Sequence, residues 1–148
     1  MKKLLAAAAA LMVSGVAFAQ NATPVGLWKS IDEKSKVEKS LVRITETGGV
    51  ISGKIEKLLD PAVKPDAVCD ECSGELKGKP VVGLTIISGA KKNPDESAQW
   101  DGGTVLDPAN GKTYKLRLRP SADNKKLEVR GYVGTPMIGR SQTWVRVE

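Results

Sequence analysis

The chain has 148 residues, with 23 Lys and Arg against 17 Asp and Glu, a net charge of +6 and no His at all. The lack of His excludes every Ser–His or Cys–His nucleophile. It leaves a neutral-pH general base to a carboxylate or Lys of strongly shifted pKa, so enzymatic activity is not expected. The positive charges are spread along the chain with no basic run interleaved with aromatics, which fits solubility and gives no footprint for nucleic acid.

The N-terminus reads as an export signal. Met1-Lys2-Lys3 is a short basic segment, Leu4 to Val13 is an unbroken apolar run, and Ala17-Phe18-Ala19 supplies the small-x-small site of a signal peptidase. The apolar run is shorter than the roughly 20 residues that span a bilayer, which disfavours a membrane anchor. Cleavage between Ala19 and Gln20 divides the chain into a signal peptide, residues 1–19, and one domain, residues 20–148. Losing Lys2 and Lys3 leaves 21 basic against 17 acidic groups, a net of +4. No later stretch has the length and apolarity of a transmembrane helix, so the expected location is the periplasm or the exterior.

The remainder alternates with period two between turn signals, the pattern of half-buried strands. Val25 to Ser30 is a first strand. Ser40 to Glu46 sets Val42 and Ile44 against Arg43 and Thr45, and Thr47-Gly48-Gly49 is a tight hairpin signal. Val50 to Leu59 follows, with Ile51, Gly53 and Ile55 on one face. Asp60 to Pro80 breaks the rhythm with three prolines, two cysteines and several charges. Strands resume at Val81 to Ser88 and at Ala98 to Leu106, with Lys91 to Glu96 as the loop between them. Asp107 to Gly111 is a hairpin loop with Gly placed for a positive φ. Thr113 to Arg119 then sends Tyr114, Leu116 and Leu118 one way and Lys115, Arg117 and Arg119 the other. Leu127, Val129 and Val133 oppose Glu128, Arg130 and Tyr132, and Ser141 to Val147 closes the chain. Eight strands with hairpin-length connections predict an all-β, antiparallel up-and-down barrel, because closure removes exposed edges. An open sandwich is the rival architecture.

Certain motifs resemble known families. Gly26-Leu27-Trp28 is similar to the Gly-x-Trp opening of lipocalin-like barrels, in which the Trp plugs one end and an Arg of the last strand lies across it. That resemblance assigns barrel closure to Trp28 and an Arg of the last strand. Arg146 is favoured over Arg140, because in an antiparallel closure the end of the last strand returns beside the start of the first. Six further motifs in order are similar to the exported bacterial family of domain of unknown function 2147. They are Cys69-x-x-Cys72, Trp100-Asp101-Gly102-Gly103, Leu106-Asp107-Pro108, Asn110 to Tyr114, Val129 to Tyr132, and Gly139-Arg140 through Trp144. Ser141 stands where that family is expected to carry Thr. The resemblance implies a lipocalin-like barrel in the cell envelope and no particular activity.

Cys69-Asp70-Glu71-Cys72 is the sharpest local feature. A zinc site needs two more good ligands, and the chain has no other Cys and no His. A redox centre needs a depressed thiol pKa, which the intervening acids oppose. A structural disulfide pinning the long loop fits an oxidising compartment. Trp100 and Asp101 beside two glycines fit a bulge at a barrel corner better than a calcium loop, so neither metal nor cofactor is expected. Arg130, Tyr132, Arg140 and Trp144, together with Trp100 and Asp101, make a candidate ligand or partner surface. Its plainer reading is an outward, solvated face.

Two functions follow: a binding module holding a small, partly apolar or anionic ligand, or a structural envelope protein whose barrel is filled by its own side chains and meets another protein. An eight-stranded barrel is wide enough for either. The export reading predicts an intact mass corresponding to Gln20–Glu148, less two protons for the disulfide, in a periplasmic or external fraction. A full-length mass recovered from membranes would contradict it.

Overall fold

The computed structural model describes residues 22–148. The segment expected to be a signal peptide, with the expected cleavage site at Ala19 and Gln20, lies outside the described residues. Eight strands run in chain order: β1 (Gly26–Ile31), β2 (Glu38–Thr47), β3 (Val50–Leu58), β4 (Thr85–Lys92), β5 (Trp100–Asp107), β6 (Lys112–Pro120), β7 (Lys126–Tyr132) and β8 (Gly139–Arg146). Each pairs antiparallel with the next, and β8 pairs back onto β1, so the sheet is a closed barrel.

The hairpins form where the sequence permits unusual backbone. Gly48 and Gly49 join β2 to β3 with φ of 57° and 80°, positions that Gly occupies without the steric cost of a side chain. The corner between β4 and β5 is bent by Gly89 and Gly102, both at φ 78°. Gly103 lies against the β4 backbone at Ser88 and Ala90, leaving no room for a Cβ. The Asp101-Gly102-Gly103 segment is therefore a bulge, with the β5–β6 register shifting between Asp101 and Gly103.

The fourth strand begins later than the alternation of Val81 to Ser88 implies. Val81 and Leu84 are held in a turn, with the Leu84 N–H donating to the Val81 carbonyl, while the Val81 N–H donates back to Ala67. Gly83, at φ 93°, makes the bend. The apolar pair Val81 and Leu84 is buried because the preceding excursion packs there. The strand itself runs on through Ala90 to Lys92, residues that read as the start of a loop.

One end of the barrel is solid. Val42, Ile44, Ile51, Ile87, Leu116, Leu118 and Leu127 fill it around Trp28, which is wholly buried. The Trp28 Nε1–H donates to the Pro24 carbonyl at 2.7 Å. Arg146, paired in register with Trp28, lays its guanidinium 4.2 Å from the centre of the indole. The same guanidinium donates to the carbonyls of Thr23, Val25 and Asn124 and to the Asn124 side chain, at 2.6–2.9 Å. Burial lowers its pKa from the ordinary Arg value, the only cause acting on it. Gly26 has φ 144° and lies against the Arg146 guanidinium and the Glu148 carbonyl, so a Cβ there would collide with both.

Removing the Trp28 indole should cost about 3–5 kcal/mol, as for other buried Trp→Ala changes. Arg146→Ala should cost less. Measured in a double-mutant cycle by denaturant unfolding, the pair should lose less than the sum of the single changes. Strictly additive losses would mean that the two side chains stabilise the barrel independently.

Candidate functional site

The opposite end of the barrel is hollow. A cavity of about 930 Å³ opens between the β1–β2, β5–β6 and β7–β8 connections. This lies within the range of small-molecule sites, roughly 300–1,000 Å³. Ile55, Ile86, Val105, Leu106 and Val129 line its wall. Polar groups are placed among them. Ser30 and Ser40 share a 2.7 Å hydrogen bond between their hydroxyls, and the Asn110 amide donates to the Tyr114 hydroxyl at 3.0 Å. The Trp144 Nε1–H donates to the Gln142 side-chain oxygen at 2.9 Å.

The residues Asp60 to Pro80 form one wall of the mouth, through Val63, Ala67 and Val68. Cys69 and Cys72 are disulfide-bonded with Cα atoms 5.4 Å apart, and both are buried. The disulfide turn rests on the β5–β6 loop. Gly111, at φ 71°, lies against the backbone of Glu71 and Cys72, where a Cβ has no space. Asp60 anchors the start of the excursion: its carboxylate accepts from Lys39 Nζ at 2.8 Å and from the Ala62 N–H at 2.9 Å. The Lys39 hydrogen bond, followed by that of Ala62, lowers the Asp60 pKa from its ordinary value.

The six residues read as one candidate surface fall into three places. Trp100 and Asp101 belong to the solid end. Trp100 is buried opposite Leu118, with Lys92 Nζ 5.6 Å from its ring centre. The Asp101 carboxylate accepts from the amides of Asn93 and Gln99 at 2.8 and 2.7 Å. Arg130 lies outside the mouth, where its guanidinium donates to the Pro136 carbonyl and the Ser141 hydroxyl, and Tyr132 stands at the rim.

Arg140 and Trp144 correct the outward, solvated reading. They face inward, because Trp144 pairs with buried Leu127, and Gln142 and Arg140 pair with Val129 and Gly131. The outer face of β8 is Thr143 and Val145. On β8 the lumen takes the more polar face, which an apolar-inside rule reads backwards. Sequence reasoning also missed Tyr114, Gln142 and the Ser30–Ser40 pair as lumen groups. Parity with Leu116 was the available signal for Tyr114, and parity with Trp144 for Gln142. Arg140 has no hydrogen-bond or ion-pair partner among the described residues, which leaves a free cation on the lumen face at the mouth.

This geometry defines a lipocalin-like barrel, plugged at one end and hollow at the other. The chain belongs to the family described as "Uncharacterized protein conserved in bacteria (DUF2147)", whose model matches residues 26–146. Among solved structures it is similar to the protein HP1028 of Helicobacter pylori, described as belonging to the lipocalin family. The identity is 19%, with 86% of this chain and 84% of that chain covered at a TM-score of 0.72. At that identity the likeness is one of fold. Comparison with curated proteins gives no match.

Two experiments test the mouth. Replacing Cys69 and Cys72 with Ser should leave a folded barrel, since a loop this short restrains the unfolded chain by only about 2 kcal/mol. Limited proteolysis should then cut first within residues 60–80; unchanged resistance would show that the Gly111 contact holds the segment alone. The second concerns pH. Asp32, Asp60 and Asp123 are all lowered below the ordinary value of 3.8. The folded state therefore binds fewer protons than the unfolded chain in that range. This stabilisation is complete above pH 3.8 and lost as pH falls through the folded values. Denaturant midpoints should drop on going from pH 7 to pH 3, and Asp60→Asn should show a smaller drop.

Proposed function

We propose that this protein is a binding module of the bacterial envelope, holding a small, partly apolar ligand with an anionic group in the hollow half of its barrel. The observation that carries the reading is the cavity itself: about 930 Å³, open at one end, with an apolar wall and a few fixed polar groups. A barrel filled wholly by its own side chains would close over that space. The solid half around Trp28 already supplies closure, so stability does not require the other half to be empty or full.

Arg140 supports the anionic element. Its guanidinium shares the lumen face with Gln142 and Trp144 and is compensated by no carboxylate. The lining acids have local partners: Asp60 on Lys39, Asp32 on Ser35, and Asp107 on the Ala109 N–H. Export to the periplasm, proposed from the N-terminal segment, suits the disulfide, because bonds of this kind persist in oxidising compartments. Binding is preferred to catalysis because a chain without His offers no ordinary base beside a nucleophile.

Native mass spectrometry of the protein isolated from its own host tests the reading. A reproducible excess mass, released on denaturation, is the expected result. Val105→Trp, which adds bulk from the lumen wall, should lower the loaded fraction. Only the bare polypeptide mass across independent preparations would count against a resident ligand and favour the partner-binding alternative.

A further inference from the structure

The β7–β8 hairpin carries an exposed apolar tip, of which Val133 and Ile138 also border the cavity. Met137 is 90% exposed, Ile138 67% and Val133 62%. A monomeric protein exposes single apolar residues routinely, but three on one protruding turn beside a cavity mouth mark an interaction site. The turn is built rather than loose. The Val133 N–H donates to Ile138, the Ile138 N–H to Thr135 and the Thr135 N–H to Val133, all at 2.9–3.0 Å. Two cations brace it from below: Arg130 donates to the Pro136 carbonyl and Lys115 to the Gly134 carbonyl.

The charge on the tip itself has one sign. From Arg130 to Arg140 the chain contains no acidic residue, and Lys115, Arg130 and Arg140 surround the base of the turn. The acids of the mouth stand on the other connections: Asp32, Asp60 and Asp107 are held by local partners, and Asp66, Asp70 and Glu71 are exposed on the disulfide-pinned excursion. An apolar point above a collar of cations is complementary to one kind of surface. In an anionic bilayer the point enters the acyl boundary and the collar lies among the headgroups, each cation near the surface adding attraction.

We infer that the β7–β8 tip docks the open end of the barrel onto an anionic lipid surface, with Val133, Met137 and Ile138 inserted and Lys115, Arg130 and Arg140 at headgroup level. Docking in this orientation sets the cavity mouth against the membrane, so that a partly apolar ligand passes between bilayer and lumen without crossing water. The inference does not require a loaded lumen, and its test is independent of the mass measurement.

The experiment is flotation of the protein as isolated from its host with vesicles of phosphatidylcholine alone or with phosphatidylglycerol added. Binding should be strong on the anionic vesicles and weak on the neutral ones, and 1 M salt should release most of it, since screening then acts within about 3 Å. The double change Met137→Asp and Ile138→Asp should weaken binding by about tenfold or more, because apolar burial and charge attraction are both lost. Both residues are exposed, and unchanged Trp fluorescence and melting would confirm that the variant is folded. Arg140→Gln should weaken binding less. Equal binding to neutral vesicles, a double variant that binds as well as the parent, or a tip that captures one envelope protein while ignoring lipid would each overturn the inference.

Discussion

The barrel depends on how one cation is satisfied. Among the described residues Arg146 pairs with no side-chain carboxylate; its guanidinium is held between the π face of Trp28 and backbone oxygens from distant segments. Cation–π attraction contributes about 0.5–2 kcal/mol by itself. Its larger effect is geometric. A planar fork with several donors fixes the N-terminal approach at Thr23 and Val25, the β6–β7 turn at Asn124 and the β8–β1 seam at once. Lys, with one compact charge and no plane to stack, could not hold all three. Gly26 belongs to the same constraint, since the guanidinium occupies the space its side chain would need.

This arrangement makes the two ends of the molecule unlike. Near Trp28 the interior is aliphatic and closely filled. Beyond Leu106 and Trp144 it becomes hollow, with polar groups set into an apolar wall, and the walls are completed by a segment outside the strand pattern. That segment owes its position to three modest features: the Lys39–Asp60 ion pair, the disulfide, and the backbone contact at Gly111. Each is small beside the core, and together they decide the shape of the mouth.

Much of the fold was legible in the sequence, because strand periodicity and hairpin glycines are local signals. Gly48-Gly49 and Gly111 announce turns through their φ preference, and Gly26-Leu27-Trp28 announces the plug by resemblance. The start of the fourth strand was not legible. Val81-Val82 has strand composition, and it is the bend at Gly83 together with the tertiary partner Ala67 that makes a turn of it. The site was read less well, for a physical reason. Inward and outward are told apart by apolarity, and a lumen open to solvent or ligand is lined partly by polar groups. Arg140, Gln142 and Trp144 therefore looked like surface. The second role of Gly111, giving way to the Glu71 backbone, has no signature in sequence, since a glycine needed for φ and one needed for space look alike.

The division of the interior into a filled half and an empty half has an evolutionary consequence. Side chains around Trp28 and Arg146 are mutually constrained, so change there is penalised whatever the protein carries. Side chains around the cavity border open space on one side, though Ile55, Leu106, Val129 and Trp144 among them are also buried in the core. Substitution on the open side alters volume and polarity with fewer neighbours disturbed. Selection can therefore reshape the hollow half while the other half keeps the scaffold recognisable.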